Sequence, residues 1–334
     1  MKHLLLLVIA TLITFKSEAH PPWGIVVDST GNIYFADIFH NGRGSLWKLD
    51  SEGNIKLIAG DFHAHNVSLD QNGNLVSAHG ENTYTMIAFR EGIKDTLIHT
   101  TDFKKFNGGT STYANGTIYF GIEHYIWKIN EEGKREKLSD HYFEWNQLLY
   151  ADGEGNVYAP DIGKNGDLIK IDPNGNATVI ATDLISQLDR PKDKHNDILL
   201  GIGKDAERNV YICELAGQKI IKIDPDGNTS DFYKANDKWA PTAVTFQNKQ
   251  AYILEIQGHD NLRVIRLDEN GVSKVLFDYN QDYDKKVSEP SSKGNSTKSD
   301  SGISMFVWIF SGAVVALILF GWIMKRPQNK STVL

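Results

Sequence analysis

Residues 25–59 read IVVDSTGNIYFADIFHNGRGSLWKLDSEGNIKLIA, and the fold follows from how that stretch divides. Residues 25–28 and 32–37 are short apolar or alternating runs on either side of Ser-Thr-Gly, residues 45–50 follow a loop, and residues 54–59 follow Ser-Glu-Gly. Each tight turn has a glycine where a positive φ is needed, so the stretch reads as four antiparallel strands. A single sheet of this size cannot bury both of its faces and must stack on copies of itself.

Those copies are present. The tyrosine of the second strand recurs as Tyr34, Val76, Tyr119, Tyr158, Tyr211 and Tyr252, and the third strand recurs as LWKLD, MIAFR, IWKIN, LIKID, IIKID and VIRLD. From Trp47 the third-strand position steps to Ile87, Trp127, Ile169, Ile221 and Ile265, at intervals of 40, 40, 42, 52 and 44. Six units of about 40 residues with four strands each predict an all-β, six-bladed β-propeller of four-stranded blades. The propeller occupies residues 20–281, and too few residues precede residue 25 to lend an outer strand to the last repeat. The ring is therefore expected to close by packing of its first and sixth sheets.

The ends read differently. Residues 1–19 have a basic start, an apolar run and a small-residue exit, Ser17-Glu18-Ala19, as in a secretory signal peptide. Residues 303–324 carry no charge and are long enough for a C-terminal transmembrane helix, with Lys325 and Arg326 directly after it. The expected arrangement is a single-pass cell-membrane protein of type I: propeller extracytoplasmic, residues 282–302 a flexible stalk rich in Ser, Lys, Asp and Gly, and residues 325–334 a cytoplasmic tail.

Of 334 residues, 41% are hydrophobic and 23% charged, which suits one large globular domain. Setting aside the charged residues of the signal and tail leaves 30 basic and 41 acidic residues, a net charge of −11. That balance argues against nucleic acid or an anionic lipid surface as a partner. Cys213 is the only cysteine, so no internal disulfide is possible, and its place mid-strand in VYICE marks a buried thiol. Trp47 and Trp127 occupy apolar third-strand positions and read as core. Asn66, Asn115, Asn176, Asn228 and Asn295 stand in Asn-x-Ser/Thr sequences, which matter only in a glycosylating cell.

PPWGIVVDSTGNIYFAD (residues 21–37) and VYICELAGQKIIKIDPDGN (residues 210–228) resemble the NHL-repeat proteins and the wider six-bladed group of SMP-30/gluconolactonase-like and paraoxonase-like propellers. The resemblance runs from residue 21 to about 278. It implies the fold but not the chemistry.

Function must come from the face of the ring where the first strands begin and the second strands end. DFHAHNVSLDQNGNLVSAHGE (residues 61–81) places His63 and His65 on one side of an extended segment. With Asp70 paired to Asn74 across the turn, His79 falls opposite His65. Three imidazoles meeting there would suit a zinc ion with an activated water, which makes His63, His65 and His79 candidate metal ligands or bases. KHNDILLGIGKDAERNVYICE (residues 194–214) resembles the Asn-Asp-Ile phrase of the paraoxonase-like propellers, where the asparagine helps to hold calcium. On that resemblance His195, Asn196 and Asp197, with Asn66, Asn146, Glu214 and Glu255, form a candidate ligand-binding ring; calcium takes six to eight oxygens.

Two departures weaken the lactonase parallel: Pro21-Pro22-Trp23 stands where the SMP-30 group has a glutamate, and Ala240-Pro241-Thr242 opens the sixth repeat. Asp37 and Asp161 read as turn caps. The long insertion between Ile180 and Ile198 falls on the same face. Two readings stand: a membrane-tethered module binding a small molecule, glycan or envelope protein, or a lactonase-like hydrolase using one divalent metal, zinc or calcium.

Overall fold

The computed structural model describes residues 20–286 apart from 91–92, 164, 190–197 and 237. The expected signal peptide, membrane span and tail, most of the stalk, and His195, Asn196 and Asp197 lie outside the described residues. Among the described residues no helix is long and apolar enough to cross a membrane.

Among the described residues, twenty-four strands form six four-stranded sheets, each a meander of consecutive antiparallel strands. In the first blade they are β1 (Ile25–Val27), β2 (Ile33–Asp37), β3 (Ser45–Leu49) and β4 (Ile55–Gly60); the second blade runs from β5 (Val67–Leu69) through β6 (Leu75–His79) and β7 (Tyr84–Arg90) to β8 (Ile93–Thr100). The remaining blades are β9–β12 (residues 111–137), β13–β16 (150–181), β17–β20 (199–234) and β21–β24 (240–278). The chain is an all-β six-bladed propeller.

One turn design recurs at the face opposite the candidate site. Asp28 Oδ1 accepts the backbone N–H groups of Thr30 and Asn32, while Asn32 Nδ2 donates to Asp28 Oδ2 at 2.7 Å. The same Asp-to-Asn clasp joins Asp70 to Asn74, Asp152 to Asn156, Asp205 to Asn209 and Asp224 to Asn228. It closes an Asx turn whose fourth residue must be left-handed, hence Gly31 at φ 87° and Gly73 at φ 78°. In the fifth blade Arg208 takes that position at φ 71°. The repeat tyrosine also gains a purpose: Tyr34, Tyr158 and Tyr211 each donate a phenolic O–H to the aspartate of their own turn.

The core lies between blades. Phe106, Phe120 and Met86 pack blade two on blade three, and Phe143, Leu149 and Ile169 pack three on four. Phe35 and Trp47 of the first blade are fully buried with Leu254, Val264 and Phe277 of the sixth. The ring thus closes by packing, without strand exchange.

Helix α1 (Tyr279–Lys286) reinforces the seam. It takes in residues 282–286, expected from composition to begin the flexible stalk. The reason is aromatic: the Tyr279 ring stacks on His40 with centroids 3.4 Å apart, and Tyr279 and Tyr283 meet the Trp47 indole edge-on at 6.3 and 6.0 Å. His40 itself bridges first and sixth blades, through Nδ1 to Asp37 Oδ2 at 2.9 Å and Nε2 to the Asp260 carbonyl at 3.2 Å.

Candidate functional site

The central channel holds a cavity of about 100 Å³ lined by the first strands of all six blades, among them Val26, Ser68, Thr112, Tyr150, Ile202 and Thr245. At the end where those strands begin, Trp23 lies across it. The indole is only 6% exposed, packs in one cluster with Leu148 of the fourth blade, and stacks on His65. The segment is strapped down by a 2.8 Å bond from Trp23 N–H to the His65 carbonyl. Gly24 permits this, because a Cβ there would stand 2.5 Å from Val67 N.

The hairpin register of the second blade is the one expected, with Val67 opposite Ser77 and Leu69 opposite Leu75. The three histidines nevertheless do not form a ligand triad. Strand pairing stops at Val67, and the His79 ring turns to fasten its own loop. Its Nδ1 accepts the His63 backbone N–H at 2.9 Å, which leaves Nε2 to donate to the Glu81 carbonyl at 2.8 Å. Both nitrogens are spent.

His65 is buried, donates to the Pro21 carbonyl and leaves Nδ1 without a hydrogen-bond partner. Burial, with the nearby charges of His63 and His20, pushes its pKa down to about 3 against that bond. His63 donates Nδ1–H to the Arg43 carbonyl at 3.0 Å and meets His65 edge-on at 4.7 Å, and its side chain keeps 19% exposure. No group of three His, Cys, Asp or Glu side chains among the described residues is placed to hold a metal ion.

The carboxylates of the expected ring are likewise engaged. Glu214, fully buried, accepts the backbone N–H and the hydroxyl of Ser186, each at 2.7 Å. Glu255, also fully buried, accepts from Arg263 Nε at 2.6 Å and the Tyr233 hydroxyl at 2.9 Å. Asp161 accepts the N–H groups of Glu144, Trp145 and Gly163, and Asp37 accepts from Phe39 N–H and the Trp47 indole. The last residue of the second strand therefore ties down loops of its own blade in blades one, two, four and five.

Asn66 bridges three blades: its Nδ2 donates to the carbonyls of Ser111 and Leu149, both at 3.2 Å, and its Oδ1 accepts Val67 N–H. Asn146 donates to Leu148 and Pro160, while its Oδ1 is buried without a partner. The Oε1 of neighbouring Gln147 is buried without a partner as well; two amide oxygens are fewer than the six to eight that calcium takes, and Asn196 and Asp197, the other expected ligands, lie outside the described residues.

Sequence reasoning missed the exposed apolar side chains around this mouth. Phe103, Tyr142 and Leu188, on the successive links into blades three, four and five, are 45%, 53% and 39% exposed. Tyr142 lies flat on His124 with ring centres 4.7 Å apart and meets Tyr125 edge-on at 6.0 Å. Aromatic residues inside otherwise polar inter-blade links were the available signal.

No family profile and no curated protein sequence matches the chain. Solved structures share the fold. A gluconolactonase from Xanthomonas campestris is similar at 12% identity and TM-score 0.52, over 72% of this chain and 84% of its own. Virginiamycin B lyase from Staphylococcus aureus is similar at 16% identity and TM-score 0.50, over 78% and 85%. An auxiliary nutrient-binding protein from Bacteroides thetaiotaomicron is similar at 10% identity and TM-score 0.53, over 73% and 68%. At these identities the likeness concerns the propeller and not its chemistry.

Proposed function

We propose that this propeller is a binding module whose channel face engages a small molecule, glycan or envelope protein, with residues 303–324 tethering it to the membrane after export. The observation that carries the reading is the exposed trio Phe103, Tyr142 and Leu188 on one rim, above a mouth already filled by Trp23. Exposed rings and aliphatic groups on rigid links favour recognition by contact, since large apolar side chains left in water gain when a partner covers them. The likeness to a nutrient-binding propeller is consistent with this role.

A lactonase role is the second reading. The buried, unpaired Oδ1 of Asn146 favours it, together with the likeness to a gluconolactonase. The spent carboxylates of Glu214 and Glu255 weigh against it.

The deciding experiment compares the intact protein with a Phe103→Ala/Tyr142→Ala/Leu188→Ala variant in capture of cell-envelope components and glycan arrays, alongside lactone hydrolysis with and without added calcium. Capture lost in the variant, with no hydrolysis, supports the binding module. Metal-dependent turnover that survives the triple substitution replaces it with the enzyme.

A further inference from the structure

Among the described residues, three grooves of similar size open on the flank of the ring where blades diverge: about 500 Å³ between blades one and two, about 530 Å³ between four and five, and about 510 Å³ between five and six. Their charges differ. The groove between blades four and five sets Lys170, Lys204 and Arg208 against Asp224 and Asp226, and Lys204 is already committed to Asp152 at 2.7 Å. The groove between blades five and six sets three lysines against Asp205, Glu207, Asp268 and Glu269.

Among the described residues, the groove between blades one and two carries Lys48, Lys56, Arg90 and Lys94 against a single lining carboxylate, Asp28, which its own turn occupies. Arg90 pairs with Asp95 at 3.3 Å. The ammonium groups of Lys48, Lys56 and Lys94 have no ion pair among the described residues; Lys48 lies over the Tyr34 ring and Lys94 over Phe89, at 5.6 and 5.9 Å. Glu91, which follows Arg90 in the sequence, is outside the described residues.

Between these cations the floor is apolar: Ile58 and Phe89, both half-buried against the cluster that joins blades one and two. Strands β4 and β8 are the outermost of their sheets, so their outward backbone groups are unpaired by the ring. A cationic rim, an apolar floor and a free strand edge thus stand together on a domain of net charge −11.

We propose that this flank groove docks an extended acidic peptide of a partner protein, with alternate carboxylates on Lys48, Lys56 and Lys94 and alternate apolar side chains on Ile58 and Phe89. An extended strand suits the site because its side chains alternate with period two, which matches one charged edge and one apolar floor. A sulfated sugar would use the cations but not the apolar floor. The site lies on the flank, apart from the channel face, and does not depend on the reading given above.

The test is fluorescence anisotropy of the full chain with a fluorescein-labelled decapeptide of alternating Asp and Leu, a Lys-Leu counterpart, and a heparin-type hexasaccharide. The acidic peptide should bind and be weakened by salt. Lys48→Glu/Lys56→Glu/Lys94→Glu should weaken it about tenfold or more, a scale set by several exposed charge pairs. Lys170→Glu/Lys222→Glu/Lys249→Glu, which reverses charge in the other two grooves, should leave it unchanged. The proposal is overturned if the acidic peptide does not bind, if both triple variants weaken it equally, or if the hexasaccharide binds this groove in its place.

Discussion

The imidazole of His65 lies against the indole of Trp23, ring centres 4.4 Å apart and planes 14° apart, and together they close the mouth of the channel. The pair decides two things. It fills the place where an open channel would admit a ligand, and it holds a titratable group in a setting that rejects charge.

That setting makes stability pH-dependent. The folded state holds His65 neutral down to about pH 3, whereas the unfolded chain takes up the proton near pH 6.5. Its contribution is therefore fully present above pH 6.5 and is lost as pH falls toward 3. Between pH 6.5 and 4.5 the loss should be about 2 to 3 kcal/mol. Urea denaturation across that window should show the fall in the wild-type protein and a flatter profile in His65→Gln. Parallel profiles would place the dependence elsewhere.

Gly24→Ala tests the same mouth from the backbone side. The added methyl would stand 2.5 Å from Val67 N and 2.7 Å from the Asn66 backbone, neither of which can swing away. A loss of about 3 kcal/mol is expected. A melting temperature equal to wild type would show that the N-terminal strap is not packed as described.

Asp161→Ala removes the acceptor for three backbone N–H groups and should cost about 2 to 3 kcal/mol. Because that carboxylate fastens loops rather than meeting a ligand, partner affinity measured on the folded variant below its melting point should not change. Lost affinity with unaltered stability would reverse the assignment.

Tyr279→Ala should lower stability by about 2 kcal/mol, since it removes the stack on His40 and an edge contact to Trp47 at the ring's seam. Calorimetry checks the size of the effect. No change would mean that α1 does not help to close the ring in solution.

Cys213 should not react with Ellman's reagent until the protein unfolds. It is completely buried in β18 (Val210–Glu214), and burial, with the charge of Glu255 nearby, pushes its thiol pKa well up. Native labelling, followed by labelling in denaturant, should read none and then one thiol.

The repeat was legible because its signal is local. Asp28, Gly31, Asn32 and Tyr34 stand within seven residues and bond one another, so the pattern that builds the turn is written in consecutive positions and recurs wherever the turn does. The register of the second hairpin was legible for the same reason: Gly73 sets the turn, and counting outward from it aligns Val67 with Ser77. The buried thiol followed from its place in the middle of an apolar strand.

The site was not legible in that way. His63, His65 and His79 were correctly aligned along the hairpin, yet whether they share an ion depends on side-chain torsions and on what else competes for each nitrogen. His79 is taken by the backbone of His63, and His65 by Pro21 and Trp23. Likewise Glu214 and Glu255 look like free carboxylates in sequence, and only the folded loops bring Ser186 and Arg263 within bonding distance. Short-range turn chemistry and strand alternation let the sequence by itself determine the blade, its number and its order. Which polar atoms are left over for function is settled by contacts between residues far apart in the chain, and so only the tertiary structure could decide it.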